Sequence, residues 1–207
     1  MKDLRYLIQK GENEELDFKQ EISSAAKIAK TMVSFANRKG GRLLVGVRDN
    51  KSIAGIRTED EKYMLGLAAD FYCKPTIELV ILEHELEGKI ILEAIIPEGK
   101  DKPYAAKGED GKWWVYIRVK DKSLLASKVV VDVLKKETAQ KDNLIQITSK
   151  EQALLDYLAK NERITLKQYC KMINISRWRA SKILVNLISA GIIRSHNTEK
   201  VEFYTLS

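Results

Sequence analysis

The sequence predicts an α+β first domain built on a mixed sheet, followed by a small winged helix-turn-helix domain. Three observations point there. Apolar runs of strand character at 16–19, 42–47, 76–86, 89–97 and 113–119 lie among helical patterns. Residues 134–147, LKKETAQKDNLIQI, turn polar and weakly periodic, which places a boundary near 143–148 and domains at 1–143 and 148–207. Three helical patterns and two short strands then follow in quick order.

The first domain reads as follows. Residues 3–10 form a short helix stopped by Gly11. LDFK (16–19) alternates, so Leu16 and Phe18 are expected inward and Asp17 and Lys19 outward. In 23–37, Ile28, Met32 and Phe35 make one helical stripe, with Ser23 or Ser24 as N-cap and RKGG as the stop. RLLVGV (42–47) has the length of a buried strand, RDNK (48–51) is a turn, and 58–72 is helical. TIELVILEHEL and KIILEAIIP form a hairpin around Glu87-Gly88. WWVYIRV is a further strand, with Tyr116, Arg118 and Lys120 on a polar face, and 125–136 is a closing helix.

In the second domain, Ala153, Leu154, Tyr157 and Leu158 share one face of the helix at 149–161. Thr165 caps a short helix whose apolar face is Leu166, Tyr169, Cys170 and Ile173. Asn174-Ile175-Ser176 turns the chain into a third helix buried through Ala180, Ile183, Leu184, Leu187 and Ile188 and stopped by Gly191. The hairpin turns at His196-Asn197-Thr198. Arg177, Arg179 and Lys182 fall in the first half of the acid-free third helix, which either meets base edges in the major groove or is a solvated or protein-contacting face.

Composition narrows the partners. The 207 residues are 44% hydrophobic and 31% charged, enough for a globular core. Net charge is +7 and the pI about 9.2, favouring an anionic partner, nucleic acid before a membrane surface. Residues 149–207 hold ten basic and five acidic residues, most of that excess. No apolar run approaches the ~20 residues of a membrane span, and MKDLRYLIQKGENEE lacks a signal peptide's apolar core. A cytoplasmic protein without a membrane partner is expected. Cys73, Cys170, His84 and His196 fit no zinc spacing, and the cysteines read as reduced thiols.

GENEELDFKQE gathers Glu12, Glu14, Glu15, Asp17 and Glu21 in a basic chain. The group is either a solvated strand entry or a ligand set for a hard cation. Under the second reading Glu12, Asp17 and Asp49 hold Mg²⁺ or Mn²⁺ for phosphodiester cleavage, with Lys19 near the phosphate. Arg38 and Lys39 either offer donors to a phosphate backbone or simply complement the helix C-terminus.

GENEELDFK, KTMVSFANRKGGRLLVGVRDNKSIAGI, KPTIELV, KPYAAK and VYIRVKDKS resemble, in order and spacing, the Schlafen AlbA-like domain family over roughly residues 7–137. The resemblance implies a DNA-binding, transcriptional-regulator type of protein in which a winged helix often follows. It also implies an alternative, a metal-dependent endoribonuclease acting on tRNA or rRNA, whose three acids fall on Glu12, Asp17 and Asp49. The second acid of that pattern is usually Glu and here is Asp, one methylene shorter. The animal nuclease core pairs two such lobes, so a comparable cleft here would need a homodimer. The family also carries an ATP-binding label, but no G-x4-G-K-[ST] loop occurs in the chain. DNA is the expected partner, RNA the alternative, and no cofactor is required for binding alone.

Overall fold

A computed structural model of the chain describes residues 2–56, 59–139 and 147–207. The chain divides into two compact units, Met1–Leu125 and Ala126–Ser207.

The first unit holds two four-stranded sheets where the sequence predicts one. In the first sheet, β1 (Leu16–Lys19) runs parallel to β2 (Gly41–Val45), with helix α2 (Ala25–Ala36) between them in the chain. The antiparallel hairpin β4 (Val80–Leu86) and β5 (Lys89–Ile96) extends it in the order β1-β2-β5-β4. Glu87 and Gly88 both have positive φ, 57° and 68°, as a two-residue hairpin turn of matching twist requires. This sheet is buried on both faces. Helix α1 (Lys2–Lys10) packs Leu4 and Ile8 against Leu16, Phe18, Leu44 and Ile91. On the other side Ile28, Met32, Val33 and Phe35 of α2 meet Leu43, Val45, Leu92 and Ala94. Two buried faces explain why 42–47 is a continuous apolar run rather than an alternating one.

The second sheet combines β3 (Cys73–Lys74), β6 (Ala105–Lys107), β7 (Trp113–Val119) and β8 (Lys122–Leu125) in that order. Three of its strands have two to four residues, too short to leave a period in the sequence. Their Cys73 and Ala106 join the same core cluster as α2, as do Leu65, Ala68 and Ala69 of helix α3 (Asp60–Phe71). Buried Asn37, the C-cap of α2, fastens that helix to the β6–β7 region. Its Nδ2 donates to the carbonyls of Tyr104 and Tyr116 at 2.8 Å each, and its Oδ1 accepts from the Tyr104 amide at 2.7 Å.

In the second unit come helices α4 (Lys128–Thr138), α5 (Ser149–Lys160), α6 (Leu166–Met172) and α7 (Arg177–Ser189), then the antiparallel hairpin β9 (Ile193–Asn197) and β10 (Glu202–Leu206). Thr148 and Thr165 make capping boxes with Glu151 and Gln168, and Ser176 caps α7. One core unites Leu154, Leu158, Tyr169, Ala180, Leu184, Leu187 and Tyr204. Ile164 exchanges two backbone bonds with Tyr204, at 3.0 and 2.8 Å, adding a third short segment to the hairpin.

Helix α4, expected to close the first domain, belongs to the second unit. Val129 and Val133 share the cluster of Leu184, and Lys136 Nζ donates to Asn186 Oδ1 at 2.8 Å. Most of the expected boundary at 143–148 lies outside the described residues. Among those that are described, no helix is long and apolar enough to cross a membrane.

Candidate functional site

The acids of the first motif meet cations. Asp17 was expected to face solvent from β1, yet it is 3% exposed, because α2 and the second sheet cover that side of the first. From β7, Arg118, 1% exposed, reaches it with Nη2 2.8 Å from Asp17 Oδ1. The same guanidinium donates to the carbonyls of Asn13 and Leu16 at 3.2 Å each and lies 4.9 Å from the Phe35 ring centroid. Lys19 Nζ takes the second Asp17 oxygen at 2.5 Å and the Phe18 carbonyl at 2.7 Å. Both oxygens of Asp17 are therefore held by side-chain cations.

Glu12 lies beside Asp17, and its Oε1 accepts the Phe18 amide at 2.9 Å. Burial, and then the neighbouring Asp17 carboxylate, push its pKa above the usual 4.5, against the opposing amide bond and the Lys19 charge. A carboxyl with a raised folded-state pKa contributes stability below pH 4.5 that is lost as pH rises through the folded value. Glu12→Gln keeps an acceptor for Phe18 without the charge. We expect its stability, followed by urea unfolding, to fall less than the parent's as pH rises from 4.5. An unchanged pH profile would refute this account.

Asp49 does not join these two. It sits exposed in the Arg48–Ser52 turn, closed by the Lys51 amide on the Arg48 carbonyl at 2.8 Å. Among the described residues no group of three or more His, Cys, Asp or Glu is placed to hold a metal ion. Glu12 and Asp17 come together, Lys19 binds Asp17, and Arg118, expected on a polar face of its strand, is instead the buried partner of Asp17. Its signal was a lone guanidinium inside WWVYIRV, a strand otherwise without charge.

Arg38 and Lys39 are exposed after α2, and Arg38 pairs loosely with Glu14 at 3.6 Å. Lys39 lines a groove of about 510 Å³ with Lys10, Arg42, Glu15 and Tyr6. The amides of Arg38 and Gly40 both donate to the Phe35 carbonyl, at 2.9 and 3.0 Å, ending the helix rather than pointing outward as a phosphate nest requires.

In the second unit Arg177, Arg179 and Lys182 are all exposed on α7. Trp178 is 59% exposed, and Lys182 Nζ lies 3.9 Å from the centre of its indole. No acid occurs in this helix, and Ala180, Ile183, Leu184 and Leu187 turn inward as the sequence predicts.

Comparison with curated proteins finds no match. Among solved structures, the chain is similar to the DIP2311 protein from Corynebacterium diphtheriae, at 19% identity and a TM-score of 0.48, over 66% of this chain and 30% of that one. It is also similar to the N-terminal domain of a RecG-related protein from Nitrosomonas europaea, at 18% identity and a TM-score of 0.43, over 70% of this chain and 94% of that one. The chain thus spans less than a third of the length of the DIP2311 protein. The Schlafen, AlbA_2 family model matches residues 12–127, from Glu12 through both sheets of the first unit, and the chain belongs to that family.

Proposed function

We propose that the chain binds double-stranded DNA through its C-terminal unit, read as a winged helix-turn-helix, and acts as a transcriptional regulator. The carrying observation is the exposed, acid-free leading half of α7, with Arg177, Arg179 and Lys182 outside and the apolar stripe inside. A helix so arranged can enter the major groove without burying a carboxylate against phosphate. The hairpin supplies Arg194 and Lys200, both exposed, as phosphate contacts of a wing. Next to its turn, Phe203 stacks on His196 at 4.9 Å, with the Arg163 guanidinium 5.2 Å from its ring centre. Family membership supports nucleic acid as the partner class.

The test is fluorescence anisotropy with a labelled mixed-sequence duplex of about 30 base pairs across a salt series. Binding is expected to weaken with salt at a slope of about −0.9 per phosphate contact. Arg177→Ala/Arg179→Ala should cost tenfold or more, at roughly 1 kcal/mol per cation removed, and flatten the slope by about two contacts. Equal binding by this variant would overturn the assignment. The same samples, incubated with tRNA and Mg²⁺ or Mn²⁺, check the other chemistry. Cleavage lost in Asp49→Ala with binding intact would replace the regulator by a metal-dependent endoribonuclease.

A further inference from the structure

The two sheets of the first unit differ in charge. The first carries Asp17, Glu83, Glu85 and Glu93 against Lys19, Arg42 and Lys89 in its strands. In the second, β3, β6, β7 and β8 contain Lys74, Lys107, Arg118 and Lys122 and not one acid. Strand register sorts these residues by face. Lys107 pairs with Trp113, and Lys74 pairs with Ala105, itself opposite Val115. Lys74, Lys107 and Trp113 therefore share one side, while Cys73, Ala106 and Tyr116 turn to the α2 core. Trp113 is 41% exposed on that outer side and both lysines are exposed. Lys74 Nζ stands 5.8 Å from the indole centroid, near the outer limit of a cation–π contact, so a stacking ring displaces it at little cost.

The β6–β7 turn holds two acids, exposed Glu109 and Asp110, and the second is engaged away from this face. Asp110 is drawn to Trp114, on the opposite face, whose Nε1 donates to it at 3.2 Å, and it also accepts the Lys112 amide at 3.1 Å. An exposed indole beside two cations, on strands without an acid, has the makings of a single-strand platform: a π-face for any base and positive charge for the backbone. We propose that this outer face, centred on Trp113 with Lys74 and Lys107, binds single-stranded nucleic acid. A base stacks on the indole, and the two lysines meet the flanking phosphates. The site lies in the first unit, shares no residue with α7 and does not depend on the duplex-binding assignment.

The test uses the full chain with fluorescein-labelled dT20 and rU20, which separate a DNA strand from an RNA strand. Trp113→Ala is expected to weaken binding by about 5- to 150-fold, the range of one lost base–aromatic stack, while Trp113→Phe keeps most of it. Lys74→Ala/Lys107→Ala should reduce the salt slope by about 1.4, at about 0.7 per phosphate on single strands. Arg177→Ala/Arg179→Ala, which strips two cations from α7, should weaken both probes less than Trp113→Ala does. Circular dichroism confirms folding of each variant, and should Trp113→Ala fail to fold, the exposed lysine pair decides. No binding of either probe by the parent chain overturns the proposal, as does parent-like binding by the lysine-pair variant. Loss confined to the Arg177→Ala/Arg179→Ala variant also overturns it.

Discussion

Arg118→Ala should destabilise the first unit by about 3–5 kcal/mol, the cost of stranding one member of a buried ion pair. The magnitude follows from what is left behind. Asp17 remains in a site where it is 3% exposed, with Lys19 on one oxygen and the guanidinium gone from the other. The carbonyls of Asn13 and Leu16 each lose one of their donors as well. By calorimetry the transition of the first unit should fall by about 10 °C or more, at a few degrees per kcal/mol. Asp17→Leu/Arg118→Met should recover much of the loss, because replacing a buried pair with apolar groups of similar volume is often close to neutral. Lys19 is more than a third exposed and can hydrate once Asp17 is gone. If Arg118→Ala melts like the parent, the pair is not what holds β1 to β7. If the double variant melts lower than the single one, the buried charge is not the source of the cost.

Gly40→Ala should cost about 2–5 kcal/mol for two reasons that add. Gly40 has φ +79°, where an L side chain costs roughly 1–2 kcal/mol. A Cβ there would also stand 2.6 Å from the Ile96 carbonyl oxygen and 2.8 Å from the Glu98 amide nitrogen, an overlap with backbone worth about 1–3 kcal/mol. Gly41 is held by a different neighbour, since its Cβ would lie 2.5 Å from the Phe35 ring, the ring on which Arg118 rests. Urea unfolding of Gly40→Ala reads the effect. A loss below 1 kcal/mol would mean the end of β5 moves aside freely, leaving the paired glycines without a packing explanation. As it stands, close approach to β5 and to Phe35 accounts for RKGG without a bound nucleotide.

Legibility of the fold in the sequence followed the range of the interactions. Helices α2, α5 and α7 could be read because caps and stripes lie within a few residues: Ser24 accepts from Lys27, and Ser176 from Arg179. The β4–β5 hairpin was legible for the same reason, its turn being two residues long. What escaped depends on distant partners. Strands β3, β6 and β8 exist only because β7 and α2 organise them, so β7 was the one strand of the second sheet with a local trace. Asp17 looked outward because alternation specifies a face and not what covers that face. Helix α4 presents Val129 and Val133 in a pattern that suits either neighbour, and only contact with Leu184 decides between them. In the candidate site, the exposed cations of α7 were read from their own helix, while the partner of Asp17 had to come from the other end of the unit.

That separation, 101 residues between Asp17 and Arg118, sets a timetable for synthesis. At about 5–20 residues per second, the carboxylate leaves the ribosome roughly 5–20 s before its guanidinium partner. In the interval Asp17 is ionised and hydrated, and it resists burial of the β1 face that α2 would otherwise seal. Until the strand carrying Arg118 has emerged, Asp17 lacks the guanidinium that holds one of its oxygens in the finished chain. A product cut short before that strand keeps an exposed carboxylate where the finished chain has a buried ion pair, and so remains available to proteases.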